Sequence, residues 1–150
     1  AFKLKEDIRV YSDQAQTDEV MLIEARQILD FSAAYDVKDS KTQEKVGVLR
    51  RKGWSSFLRD SWEFLDCNEQ PIGTIEEDSA FLALLRRFLS NLVPQTHSFK
   101  VGETEVATMK QLFNPFIEKS VFTVGDQNIM DPRLALAGAV LLMTIEGRQG

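Results

Sequence analysis

The chain has 150 residues, 43% of them hydrophobic and 27% charged, with a formal net charge of −5. This length fits one domain over residues 1–150, and the ten Phe, two Trp and two Tyr exclude a disordered chain, which requires low hydrophobicity. The excess of acidic over basic residues argues against a general nucleic-acid binder. With Cys67 as its single cysteine, the chain cannot form an internal disulfide. A cytoplasmic setting is therefore expected.

The first half of the chain has the pattern of short β-strands separated by polar turns. In residues 57–65, Leu58, Trp62 and Phe64 share one parity, which is typical of a strand with one buried face. The turn that follows leads into a return strand, as in a hairpin. We therefore predict an antiparallel meander, with strands at residues 8–11, 20–26, 28–37, 46–51, 57–65 and 72–75.

The hydrophobic period changes at Asp78, which together with Ser79 can cap a helix. Pro94 ends the segment, because the residue before a proline avoids the α conformation. These features predict an amphipathic helix at about residues 78–93, with Arg86 and Arg87 facing away from the apolar stripe. The stripe has the spacing of a helical face and consists of Phe81, Leu84, Leu85, Phe88, Leu89 and Leu92.

Further strands are expected at residues 98–101, 105–110 and 116–124, followed by a last helix. Asp131 and Pro132 suit the cap and the first position of that helix, and Gly147 is placed to end it. Residues 134–145 are apolar on every side of this helix. They would rise about 18 Å, short of the roughly 30 Å of a bilayer core, so we expect a helix buried in protein and no transmembrane span.

These elements favour a mainly β protein with helices, in which strands close into an antiparallel barrel around the last helix. A helix that is apolar all round must be enclosed by protein, and a wide barrel needs its interior filled. The alternative is an open antiparallel sheet with the helix packed on one face, which would leave the other side of the helix exposed.

Several stretches resemble the LURP-one-related domains and the phospholipid scramblase-like proteins, which share one superfamily with the tubby C-terminal domain. They are Tyr35-Asp36-Val37 and residues 44–52 (EKVGVLRRK), 58–66 (LRDSWEFLD) and 71–75 (PIGTI). Asn114-Pro115-Phe116, and Asp131 ahead of a hydrophobic helix, look like the scramblase-type ending. The resemblance implies a closed barrel of about twelve strands around a central hydrophobic helix.

The resemblance implies less about function, because members of the superfamily differ; with the interior occupied by the helix, we predict a non-enzymatic module that binds its ligand on the outer surface of the barrel. Tubby domains bind phosphoinositide headgroups through Lys and Arg on adjacent strands, and Arg50, Arg51 and Lys52 are the nearest match here. An anionic headgroup needs several converging cations, whereas the simpler interpretation of these residues is a solvated strand end. The expected partners are anionic phospholipid headgroups or a protein, with a location in the cytoplasm or at the membrane periphery.

A candidate for a metal site lies before the last helix, at Asp126, Asn128 and Asp131. Scramblase-like proteins carry an acidic segment there that is proposed to take calcium. The spacing lacks the central glycine and terminal glutamate of an EF-hand, so capping is the simpler role for Asp131, and no cofactor is expected.

Nucleophilic catalysis has little support, because any Ser-His-acid or Cys-His site would have to use His97, the single histidine. Cys67 lies in a polar turn and has no cationic neighbour in the sequence that would activate its thiol. The alternative to a binding module is an enzyme of unknown reaction, with a cleft between the 78–93 helix and the barrel.

Overall fold

The computed structural model describes residues 7–26, 33–51, 61–77, 96–112, 119–125 and 129–149. Within these ranges the protein is mainly β, with a single helix, α1, at Pro132–Gln149. The strands are β1 Asp7–Tyr11, β2 Glu19–Ala25, β3 Ala34–Asp39, β4 Lys45–Arg51, β5 Ser61–Leu65, β6 Pro71–Glu77, β7 Thr96–Val101, β8 Thr104–Leu112 and β9 Lys119–Val124.

Each described strand pairs antiparallel with the next, so the nine strands form one sheet in the order of the sequence. The predicted meander is therefore confirmed. The sheet is not closed, because β1 pairs with β2 and β9 with β8, but no pairing between β1 and β9 is present among the described strands. The predicted closed barrel of about twelve strands is thus not confirmed.

Aspartate side chains shape the turns between neighbouring strands. Asp39 accepts hydrogen bonds from the backbone N–H groups of Lys41 and Thr42 between β3 and β4. Asp66 accepts equivalent bonds from Asn68 and Gln70 between β5 and β6. Such short side chains replace backbone partners in tight turns, which fixes where each strand reverses.

The helix packs against the concave face of the sheet, and glycines permit the close approach. A side chain added at Gly138 would place its Cβ 2.8 Å from the Cδ1 of Ile75 and 3.0 Å from the ring of Phe64. At Gly47 of β4 it would meet the two δ-carbons of Leu134 at 3.0 Å. The absence of a Cβ therefore allows α1 to lie directly on β4, β5 and β6.

The helix is not enclosed on every side, which corrects the expectation drawn from its composition. Leu134, Ala137 and Leu141 are at most 2% exposed, whereas Leu136 is 37% exposed. Val140 and Met143 lie on the same side as Leu136 and are half-buried. The described sheet wraps around the helix without completing the circle, so one apolar stripe of α1 keeps access to solvent.

The remaining predicted elements are confirmed in part. The second half of each of the predicted strands 28–37, 57–65 and 116–124 lies in β3, β5 and β9, and the earlier residues of each fall largely outside the described ranges. The predicted 78–93 helix also lies outside them. Gly147 does not end α1, which continues to Gln149. No helix among the described residues is long and apolar enough to cross a membrane.

Candidate functional site

The basic residues predicted to hold a lipid headgroup lie at the end of β4, but they do not converge. Arg50 and Arg51 are consecutive in an extended strand, so their side chains point to opposite faces of the sheet. Arg51 lies opposite Trp62 of β5, and Arg50 lies opposite Glu63. Lys52 falls outside the described residues.

Arg50 is already engaged by a carboxylate. Its Nη2 donates a 2.6 Å hydrogen bond to Oε2 of Glu63, and its Nε donates to the same oxygen at 3.2 Å. The Arg50 side chain remains 44% exposed, so it is accessible from solvent. An anionic headgroup at this position would have to compete with Glu63 for the guanidinium group.

Asp131, the described member of the candidate metal site, caps α1 as its sequence position predicts. Its Oδ1 accepts a 3.0 Å hydrogen bond from the backbone N–H of Arg133. The Arg133 guanidinium donates to both carboxylate oxygens of Asp131 and also contacts Asp39 and Glu44 across the β3–β4 turn. Asp126 and Asn128 lie outside the described residues, among which no group of three His, Cys, Asp or Glu side chains could hold a metal ion.

The hydrogen bonds from the Arg133 side chain hold the pKa of Asp131 below its usual range. Reciprocally, Asp131 is the largest cause of a raised pKa for Arg133. The contacts with Asp39 and Glu44 join the start of α1 to the β3–β4 turn, although these residues are far apart in the sequence. This arrangement anchors the helix at one end of the sheet.

Replacing Asp131 with Ala is expected to lower the free energy of unfolding by about 1 kcal/mol, because the helix loses its cap. The carboxylate with a lowered folded-state pKa stabilises the protein above about pH 4, and this contribution is lost as the pH falls below that value. Urea denaturation at pH 7 and at pH 3 measures both effects. Asp131→Asn is the matched variant, since asparagine caps well but carries no charge.

The expected pattern for Asp131→Asn is a loss at pH 7 smaller than that of the alanine variant and a weaker fall in stability towards pH 3 than in the wild type. An asparagine variant with the same acid sensitivity as the wild type would show that Asp131 does not contribute to the pH dependence.

The convex face of the sheet carries an ionic cluster that sequence analysis did not identify. Arg26, directly after β2, binds Asp36 of β3 at 2.8 Å and Glu69 of the β5–β6 turn at 2.6 Å. Lys45 of β4 contacts the same two carboxylates at 3.4 and 3.6 Å. The Arg26 hydrogen bonds are the largest cause of a lowered pKa for Asp36. The ion pairs with Glu69 tie the β5–β6 turn to the sheet. Because the four charges cancel, the cluster offers no net charge to a ligand.

His97 and Cys67 are placed too far apart to act together. His97 is fully buried on β7, in register with Glu77 at the end of β6. Cys67 is exposed in the turn before β6 begins at Pro71. His97 and Cys67 are therefore separated by the length of β6, which is about 20 Å at the usual rise of a strand. A Cys-His catalytic pair is excluded by this geometry.

The concave side of the sheet is filled by α1 and apolar side chains. The core joins the helix to side chains from β2 through β9, with Phe64, Phe99 and Phe122 forming a row of ring contacts at centroid distances of 5.7 and 5.3 Å.

The model of the LURP-one-related family matches residues 1–143 of this sequence. The chain belongs to the LURP-one-related family. That family is part of the tubby C-terminal-like superfamily, so the predicted relationship is confirmed.

No curated protein and no solved structure matches this LURP-one-related chain. Of the sequence-predicted site residues, the described ones do not form a common site: Arg50 and Arg51 face opposite ways, and Asp131 is committed to α1 and Arg133. The Arg26 cluster was missed because its members come from four separate segments. Only the strand register brings them together.

Proposed function

We propose that this LURP-one-related protein is a non-enzymatic binding module that holds its ligand on the outside or at the rim of the sheet. The observation that carries the proposal is the filled interior, where α1 and the buried side chains of the core occupy the concave face. Family membership supports a tubby-like binding role. The alternative enzyme would use a cleft beside residues 78–93, which lie outside the described part of the chain.

The closed barrel of about twelve strands remains the structural hypothesis that accompanies this function. Closing it would require strands in addition to the nine described, placed between β1 and β9. A cytoplasmic setting, peripheral to the membrane, likewise belongs to the proposal.

For the ligand, we propose an anionic phospholipid headgroup at Arg50, Arg51 and Lys52, as the family relationship implies. Two conditions follow from the described residues. A headgroup must displace Glu63 from Arg50, and it must reach past the end of β4 to meet Arg51 on the other face. The chain's net charge of −5 opposes binding to an anionic surface, so the affinity should be weak and salt-sensitive.

Sedimentation with phosphoinositide-containing liposomes tests the headgroup site. Changing Arg50, Arg51 and Lys52 to Ala should weaken binding by roughly 1 kcal/mol for each charge near the surface, and raising the salt should weaken binding of the wild type. Glu63→Gln is the informative partner variant: it frees Arg50 from its ion pair and removes a negative charge, so it should strengthen binding.

A neutral-lipid liposome is the matched control, and no protein should sediment with it. If the wild-type protein does not sediment at low salt with phosphoinositide liposomes, the headgroup proposal is wrong, and a protein partner becomes the ligand to seek.

A further inference from the structure

The turns between the described strands gather at one end of the sheet. Because each strand pairs antiparallel with the next, the β1–β2, β3–β4, β5–β6 and β7–β8 turns lie at the same end. The residues before α1 lie there too, since Arg133 contacts Asp39 and Glu44 at the β3–β4 turn. We call this end the turn rim, and it consists of residues 12–18, 40–44, 66–70, 102–103 and 129–131.

The turn rim carries a large excess of negative charge. Its residues include seven acidic side chains and one basic side chain. The cations outside the rim that pair with its carboxylates are Arg26, Lys45 and Arg133. These cations do not neutralise the rim, because they also bind two further carboxylates, Asp36 and Asp39.

The rim and its ion-pair partners account for the net charge of the whole chain. Counted together, they comprise nine acidic and four basic residues, a net charge of −5. Since the chain has 23 acidic and 18 basic residues, the remainder carries 14 of each sign. The field of a protein at a distance depends on this sum and not on which charges are paired.

The strand β4 leads from the turn rim to the proposed headgroup residues. It begins at Lys45, next to the β3–β4 turn, and ends with Arg50 and Arg51. At the usual rise of a strand, Arg51 lies about 20 Å along β4 from the rim. The screening length at physiological ionic strength is about 8 Å, so the two ends of β4 are about two screening lengths apart.

A surface of anionic lipid therefore acts differently on the two ends of the sheet. A charge close to such a surface gains or loses roughly 1 kcal/mol, so a rim that touched the lipid would be strongly repelled. We propose that the module meets an anionic membrane end-on, with the end of β4 towards the lipid and the turn rim away from it. This inference rests on the headgroup binding proposed above and adds which end of the module the membrane contacts.

Fluorophores at the two ends of the sheet test the orientation. Cys67 is the single cysteine and is exposed on the turn rim, so it can be labelled directly. The second label is placed on Cys67→Ser with Leu112→Cys, because Leu112 ends β8 at the far end of the sheet and is 42% exposed. Both proteins are bound to phosphoinositide-containing liposomes whose lipid headgroups carry a nitroxide quencher.

Quenching at position 112 should exceed quenching at position 67 by about threefold or more, because the length of β8, about 25 Å, separates its far end from the rim. The fraction bound is matched by sedimentation. Equal quenching at the two positions, or stronger quenching at position 67, would overturn the end-on orientation.

Charge reversals test the same orientation through screening. Glu103→Lys on the turn rim and Lys110→Glu near the far end of β8 each change an exposed residue by two charges. At physiological salt, Lys110→Glu should weaken liposome binding about tenfold, whereas Glu103→Lys should leave it unchanged. At about 0.01 M salt the screening length is about 30 Å, so Glu103→Lys should then strengthen binding severalfold.

A rim that faced the lipid would reverse the result at physiological salt: Glu103→Lys would strengthen binding and Lys110→Glu would have no effect. Failure of this inference can be told from failure of the proposed function. Arg50-dependent liposome binding that quenches both labels equally rejects the orientation and leaves the headgroup site standing. Absence of wild-type sedimentation at both salt concentrations rejects the headgroup site and the orientation with it.

Discussion

Gly138→Asp is expected to unfold the protein. Gly138 is buried, and a Cβ there would lie 2.8 Å from Ile75 and 3.0 Å from Phe64, so these buried side chains or the helix would have to move. The carboxylate would also be placed in the apolar core without a cation, which costs several kcal/mol. Domains of this size are stable by about 5–15 kcal/mol in total, so the folded state should be lost or strongly depleted.

Circular dichroism and urea denaturation of the purified variant measure this effect. Leu136→Asp is the matched control, because it places the same charge on the same helix at a position that is 37% exposed. It should lower stability by about 2 kcal/mol, because a mostly buried leucine is lost and Asp is a poorer helix former, and so by much less than Gly138→Asp. A Gly138→Asp protein that melts at the wild-type temperature would show that α1 does not pack against β5 and β6.

Phe99→Ala is expected to lower the free energy of unfolding by about 3–5 kcal/mol. Phe99 is fully buried on β7, and its ring lies between those of Phe64 on β5 and Phe122 on β9. These three strands do not pair with one another, so the rings hold the concave face together across the intervening strands. Truncation leaves a cavity that the surrounding sheet can fill only in part.

The measurement is urea denaturation monitored by tryptophan fluorescence and by circular dichroism. Val121→Ala on β9 is the control, since Val121 is 49% exposed on the opposite face and should change stability by less than about 0.5 kcal/mol. Phe99→Leu should lie between the two. A loss below 1 kcal/mol for Phe99→Ala would mean that this row of rings does not support the sheet, and the packing described here would be wrong at β7.

Much of the fold follows from local patterns in the sequence. The alternation around Trp62 and Phe64 predicts a half-buried strand, and the strand β5 places both side chains in the core. Asp131 followed by Pro132 predicts the start of a helix, and α1 begins there. Each of these signals depends on residues that are neighbours in the chain, whose geometry is fixed by strand or helix periodicity.

The candidate site was less predictable, because charged residues gain their partners through folding. Arg50 and Arg51 are adjacent in the sequence, yet the alternation of side chains along β4 places them on opposite faces of the sheet. The pairing of β4 with β5 places Glu63 opposite Arg50, where the two form an ion pair. Arg26 and Glu69 are 43 positions apart and still form an ion pair. No local spacing encodes such contacts.

The mainly β architecture, the order of the strands, the capped hydrophobic helix and the family can all be inferred from patterns in the sequence. Only the folded chain shows that the nine described strands stop short of a circle, and that Leu136 faces solvent while Leu134 does not. Hydrophobic patterning indicates how much apolar surface an element must bury, but not which side of it is covered. Which side stays open depends on the curvature of the whole sheet around that element.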